Sequence, residues 1–278
     1  MDRRLAHRAA AARAAHPARR RRRAHAAGPS RRLGTGVLLP ALRNPVVLAH
    51  VVGTLDRIAE GRVILGVGIA ADTPAIRKEF AAAGVPWDRR VGRFLETIEI
   101  CRALWRQDGA SFSGKHFTLQ DVTVEPKPHR AGGPPIWIGG SGPTALREAA
   151  RFDAWFPTGP SVDFFADHFP RVQAAARAAG RAPDAVTGAA YVTLALDPSP
   201  AAAERRLHAF LETYYGAPAH VILARQAAYA GPLEGCVEWL QRWIDAGARH
   251  LALRFAGGDQ VAQVDETASR LLPRLKRG

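Results

Sequence analysis

From residue 33 onward, stretches fit for buried strands alternate with stretches of helical periodicity. No other feature of the sequence constrains the fold as tightly. Strand candidates begin at 33 (LGTGVLL), 62 (RVILGVG), 135 (PIWIGG), 154 (AWFPTG), 187 (TGAAYVTLAL) and 250 (HLALRFA). Asn44 followed by Pro45 reads as a cap and first turn for a helix running to Gly61. Helical spacing recurs at 74–83, 88–105 (with Asp88 read as its cap), 144–150, 162–180 and 260–276, and two or three helices fill 200–246. Residues 111–128 read as a hairpin-like excursion. Strand–helix alternation of this length demands a parallel sheet with crossover helices, because parallel neighbours cannot be joined by tight turns. Six such strands fall short of the eight that close a (β/α)8 barrel. The place with room for the other two units is residues 1–32.

That segment has a different texture. Of the chain's formal charge of +14, residues 1–32 carry +10, from eleven arginines against the single acid Asp2. The other 246 residues carry only +4, an ordinary balance for an enzyme. The basicity is therefore a property of the tail, and a broad nucleic-acid-binding face on the fold is not expected. Five adjacent arginines, Arg19 to Arg23, repel one another and bury nothing, so the segment reads as disordered or poorly packed. The chain thus divides into a basic low-complexity tail, 1–32, and a barrel domain, 33–278.

Two cysteines, Cys101 and Cys236, without CxxC spacing point to a reducing, cytoplasmic setting. The ten histidines show no ligand spacing, and no metal is expected. No apolar run reaches membrane-spanning length, and the N-terminus lacks the apolar core of a secretory signal.

Two glycine-rich loops invite a cofactor. LGVGIAA, 65–71, spells G-x-G-x-x-A after a strand, the form of a dinucleotide fingerprint. The fingerprint, however, needs its helix at once, and here Ala71, Asp72, Thr73 and Pro74 intervene. Gly66 and Gly68 are better read as letting a strand end turn tightly. In PPIWIGGSGPTALREAARF, a strand passes through Gly139, Gly140, Ser141 and Gly142 into a helical pattern opened by Pro143. Three glycines and a serine exceed what a turn needs, and bared backbone amides suit a phosphate.

Taken together, several stretches resemble the bacterial-luciferase-like family of flavin- and F420-dependent oxidoreductases. They are LGTGVLLPALRNPVVLA (33–49), LDRIAEGRVILGVG (55–68), FAAAGVPWDRRVGRFLE (80–96), FSGKHFTLQDVTVEPKP after LW, and PPIWIGGSGPTALREAARFDAWFP. The resemblance implies a TIM-barrel of luciferase-like type, with the six strands serving as the third to eighth. It implies a cofactor, FMN or coenzyme F420, whose phosphate lies on Gly139, Gly140, Ser141 and Gly142. It places a non-proline cis peptide at Gly36–Val37, behind the cofactor ring, with Gly66 and Gly68 beside the same ring. Asp72 is the one candidate catalytic residue. The implied reactions are oxygenation of a small organic substrate by reduced FMN and O2, in the manner of a monooxygenase flavoprotein, or hydride transfer with F420.

The family's first two strand–helix units have no counterpart in this sequence, and PARRRRRAHAAGPSRR stands where the second helix belongs. A shift of reading phase through GC-rich codons for Leu-Val-Ala would produce such arginine runs, and the upstream nucleotide sequence tests that. An incomplete barrel exposes strand edges and apolar interior, so the chain is expected to be poorly soluble, a homo-oligomer through those edges, or inactive. Two other readings compete with an active enzyme: a catalytically inactive, truncated barrel, and non-specific nucleic-acid binding through the tail. No specific nucleic acid and no membrane partner is expected.

Overall fold

In the computed structural model of the chain, the described residues are 31–182 and 184–276. The expectation of a disordered tail over 1–32 lies, except for Arg31 and Arg32, outside them. The unit Gly34–Gly278 is compact by itself and holds the described helices and all of the sheet but Leu33.

The expected six parallel strands are present: β1 (Leu33–Gly34), β2 (Val63–Val67), β5 (Ile136–Gly139), β6 (Ala154–Phe156), β7 (Thr187–Leu196) and β9 (Ala248–Phe255). They run side by side in that order as a curled half-barrel, with β2 on β5, β5 on β6, β6 on β7 and β7 on β9 all parallel. Among the described residues β1 pairs only with β2 and β9 only with β7. The excursion is an antiparallel hairpin, β3 (Ala110–Ser113) with β4 (Thr118–Val122).

The crossover helices are α1 (Pro45–Ile58), α2 (Pro74–Ala82), α3 (Arg90–Arg106), α4 (Pro143–Ala149), α5 (Val162–Ala178), α6 (Pro200–Tyr215), α7 (Ala219–Leu223), α8 (Leu233–Asp245) and α9 (Gln260–Glu266). Asn44 caps α1 as expected: its Oδ1 accepts from the amides of Val46 and Val47 at 3.0 and 3.2 Å, with Pro45 in the first turn. Asp88 does not cap α3. It sits inside a 3-10 turn, Trp87–Arg89, which runs straight into that helix. The segment 200–246 holds three helices and also a strand, β8 (Ala228–Gly231), paired to the C-terminal end of β7. AYAG is too short and too small-sided to announce itself by alternation. The final helix is shorter than expected, passing after Glu266 into a π turn and a 3-10 turn that contains Pro273.

Side-chain alternation sorts the sheet into two faces. Ile138 and Trp155 lie opposite each other on the helix-facing side. There Trp155 stacks on Phe165 of α5, ring centroids 5.4 Å apart and planes 13° apart, and both rings are fully buried. Val192 and Leu194 of β7 join the same main core, while a smaller cluster packs α6 and α7 on Ala195 and Ala256. Cys101 and Cys236 are free and buried. Burial pushes the Cys236 thiol up to about 12 and raises that of Cys101 too. Neither is expected to react with a thiol reagent at pH 7.5 until the protein is denatured, which counting modified cysteines with and without denaturant checks.

Candidate functional site

At the C-terminal ends of β1, β2 and β5 the chain gathers five of the predicted site residues around one side chain. The Gly36–Val37 peptide is cis, as the resemblance required. Val37 turns its isopropyl group over the ends of the neighbouring strands. A Cβ at Gly68 or at Gly139 would come within 2.9 Å of it, and one at Gly66 would run into the carbonyl oxygen of Thr35. A Cβ at Gly36 would meet the ring of Phe156 at 3.5 Å. Gly66 and Gly68 are thus bare because the β1 segment crosses directly over them, the tight-turn reading in a specific form. Thr35 fastens the crossing through its hydroxyl, which donates to the carbonyl of Gly66 at 2.7 Å. The outcome is an apolar shelf at the barrel mouth, with Val37 still 40% exposed.

The loop 139–142 lies beside this shelf. Gly140 has φ +108°, a conformation closed to other residues without strain, and its carbonyl accepts from the Trp155 indole at 3.0 Å. The Ser141 hydroxyl donates to the carbonyl of Thr158 at 2.6 Å, so its side chain fastens the loop to the strand end of β6. Gly142 is different: nothing lies within 4 Å of where its Cβ would be, and φ −78° suits any residue. Packing therefore does not explain that glycine, whereas close approach of a ligand would. The helix that follows, α4, is only seven residues long, so the loop amides matter here more than a helix dipole.

Asp72 lies apart from this cluster in the loop between β2 and α2. Both carboxylate oxygens are engaged by Arg77, at 2.6 and 2.8 Å, and both side chains are more than half exposed. The Arg77 hydrogen bond holds the Asp72 carboxyl below its usual range. The pair clamps the approach to α2, whose first turn is capped by Thr73.

The inner face also carries residues that the glycine motifs did not signal. Trp137 packs edge-on against Phe156 (5.7 Å) and tilted against His250 (4.8 Å), and Phe156 meets Tyr191 at 6.0 Å. Beyond Tyr191 stands Arg254, its guanidinium within 5.3 Å of the rings of Tyr191, Phe210, Tyr214 and Tyr215. It donates to the Thr193 hydroxyl, the Tyr215 hydroxyl and the Gln226 side chain, all neutral acceptors. Strand periodicity places 189, 191 and 193 on one face, but which face points inward is decided only by pairing. Among the described residues no cluster of His, Cys, Asp or Glu could hold a metal ion, and no helix is long and apolar enough to cross a membrane.

A parallel α/β half-barrel whose strand ends carry a bare glycine loop beside an apolar shelf has the form of a barrel enzyme with its chemistry at the C-terminal face. Comparison with known proteins makes the class specific. Residues 24–250 match the luciferase-like monooxygenase family. The chain belongs to that family, within the flavin- and F420-dependent oxidoreductases. It is 29% identical to the F420-dependent glucose-6-phosphate dehydrogenase of Nocardia farcinica, over 88% of this chain and 79% of that protein. Over a shorter stretch, 58% of this chain and 42% of the relative, it is 37% identical to the phthiodiolone/phenolphthiodiolone dimycocerosates ketoreductase of Mycobacterium tuberculosis. Among solved structures, an F420-dependent secondary alcohol dehydrogenase in complex with an F420-acetone adduct superposes with a TM-score of 0.75 at 20% identity, covering 88% of this chain and 79% of that one.

Proposed function

We propose that this chain is an oxidoreductase that binds coenzyme F420, with FMN the competing cofactor, and transfers a hydride to or from a small organic substrate. The observation that carries the reading is the Val37 shelf beside a glycine loop in which no protein atom approaches Gly142, in a chain whose curated relatives include F420-dependent dehydrogenases. When bound, the deazaflavin supplies a carbon that takes or gives a hydride, and FMN supplies oxygen chemistry in its place. The chain's own residues bind, orient and exclude water. The amides of Gly139, Gly140, Ser141 and Gly142 hold the cofactor phosphate, Trp155 and Thr158 keep that loop in place, and Gly36, Val37, Gly66 and Gly68 form the wall behind the ring. Titrating F420 and FMN separately, followed by fluorescence quenching, tests the reading. Saturable quenching by F420 at micromolar concentration is expected. Tighter binding of FMN would move the proposal to a monooxygenase, and binding of neither at tens of micromolar would support an inactive barrel.

Asp72, ion-paired as a carboxylate at neutral pH, can accept a proton but not donate one. Asp72→Asn is expected to lower kcat by less than about tenfold, below the range usual for a general acid or base. A larger loss with unchanged KM would make Asp72 catalytic.

The domain division at residue 32 and a cytoplasmic, reducing setting belong to the same reading. So does self-association through a second copy. Val47, Val51, Leu55 and Ile58 form one exposed apolar stripe along α1, each at least 46% accessible. Such a stripe favours burial against a like surface. Sedimentation velocity is expected to show a dimer or larger species that Val51→Glu with Leu55→Glu shifts toward monomer.

A further inference from the structure

At the opposite end of the strands, away from the glycine loop, a second cavity of about 440 Å³ opens beneath the start of β5. Its walls bring together Arg102, Arg106, Arg130, Arg151 and Arg181, with Asp153 the lone acid among them. The elements meet there for structural reasons: Arg102 and Arg106 are one turn apart on α3, Arg130 opens the loop into β5, Arg151 and Asp153 sit between α4 and β6, and Arg181 follows α5. Arg151 is compensated by Glu148 and Glu99, at 2.9 and 3.4 Å. Arg181 is held by the carbonyls of Ala150, Phe152 and Ala185, which satisfy its donors but not its charge. The side chains of Arg102, Arg106 and Arg130 make no hydrogen bond or ion pair among the described residues. Arg102 does lie over the buried ring of Phe152, at 5.5 Å. Asp153 already accepts the amide of Ile136 at 2.7 Å.

Positive charge collected in a concavity with so little carboxylate repels itself, and burial adds to the cost. The Arg102 guanidinium is held below its usual range by desolvation first and by Arg106 next, with Asp153 opposing. An arrangement of this kind concentrates counter-ions, and guanidinium forks match the oxygens of phosphate groups. The one aromatic ring in the lining, Phe152, is buried under Arg102 and offers no stacking surface for a base. We infer that this cavity is a binding site for a small, multiply charged phosphate compound of the pyrophosphate type, separate from the cofactor end. Four guanidinium groups without an ion-pair partner among the described residues, those of Arg102, Arg106, Arg130 and Arg181, match the charge of two linked phosphates better than that of one.

The experiment is calorimetric titration of the full chain with pyrophosphate and, separately, with inorganic phosphate, at ionic strength fixed with chloride. Saturable binding is expected, tighter for pyrophosphate by about tenfold. The double variant Arg102→Ala/Arg106→Ala removes two guanidinium groups that have no ion-pair partner among the described residues and is expected to lower the melting temperature by no more than about 4 °C, the cost of uncovering Phe152, while weakening pyrophosphate at least tenfold. Gly142→Ala, at the cofactor end, is expected to leave that affinity unchanged. No saturable binding overturns the inference. Pyrophosphate affinity unaltered in the arginine double variant also overturns it, since the basic residues 1–32 or the cofactor loop would then be responsible.

Discussion

Gly66→Ala is expected to unfold the mouth of the barrel. The new methyl group meets the Thr35 carbonyl oxygen, which is backbone, and backbone cannot rotate aside as a long side chain can. Relief requires moving the whole Thr35–Val37 crossing. That would break the hydrogen bond from the Thr35 hydroxyl to Gly66 and the pairing of Leu38 with Val67. Forced overpacking of this kind costs about 3 kcal/mol, or a fall of roughly 6–12 °C in melting temperature for a domain of this size. Because Val37 moves with the crossing, cofactor binding should fail as well. Thermal denaturation followed by circular dichroism, with a cofactor titration on the same sample, measures both effects. A wild-type melting temperature would mean that the crossing is not seated as described.

Gly142→Val has the opposite signature. No atom within 4 Å opposes a side chain there, and the backbone angles are ordinary, so the melting temperature should stay within about 2 °C of wild type. If the loop amides hold the cofactor phosphate, a branched side chain in their path should weaken binding by at least about tenfold, some 1.4 kcal/mol. Unchanged affinity would remove the loop from the site while leaving the fold intact. The two glycines separate the reasons for which a chain keeps this residue: Gly66 for the chain's own crossing, Gly142 for room that no protein atom takes.

Much of this was legible in the sequence. The six parallel strands followed from alternation alone, because a strand buried on both faces and a crossover helix have different hydrophobic periods, and those are local properties. The α1 start was equally plain, since an Asn–Pro pair states its own capping geometry. The order of the family motifs carried the cis peptide at Gly36–Val37, which no single-residue property would reveal. By contrast, Asp88 as a cap and the absence of a strand from 200–246 were misread, because a 3-10 lead-in and a four-residue edge strand leave no periodic trace.

The sequence by itself determined the class of fold, the family and the positions where side chains are missing, since composition, period and motif order lie along the chain. Only the tertiary structure decided why they are missing. It set Val37 above Gly66, Gly68 and Gly139, and drew Arg102, Arg130 and Arg181 into one cavity from three distant segments. Those outcomes depend on strand register and on which face turns inward. Both are fixed by pairing between residues far apart in the chain, and no local pattern encodes the partner.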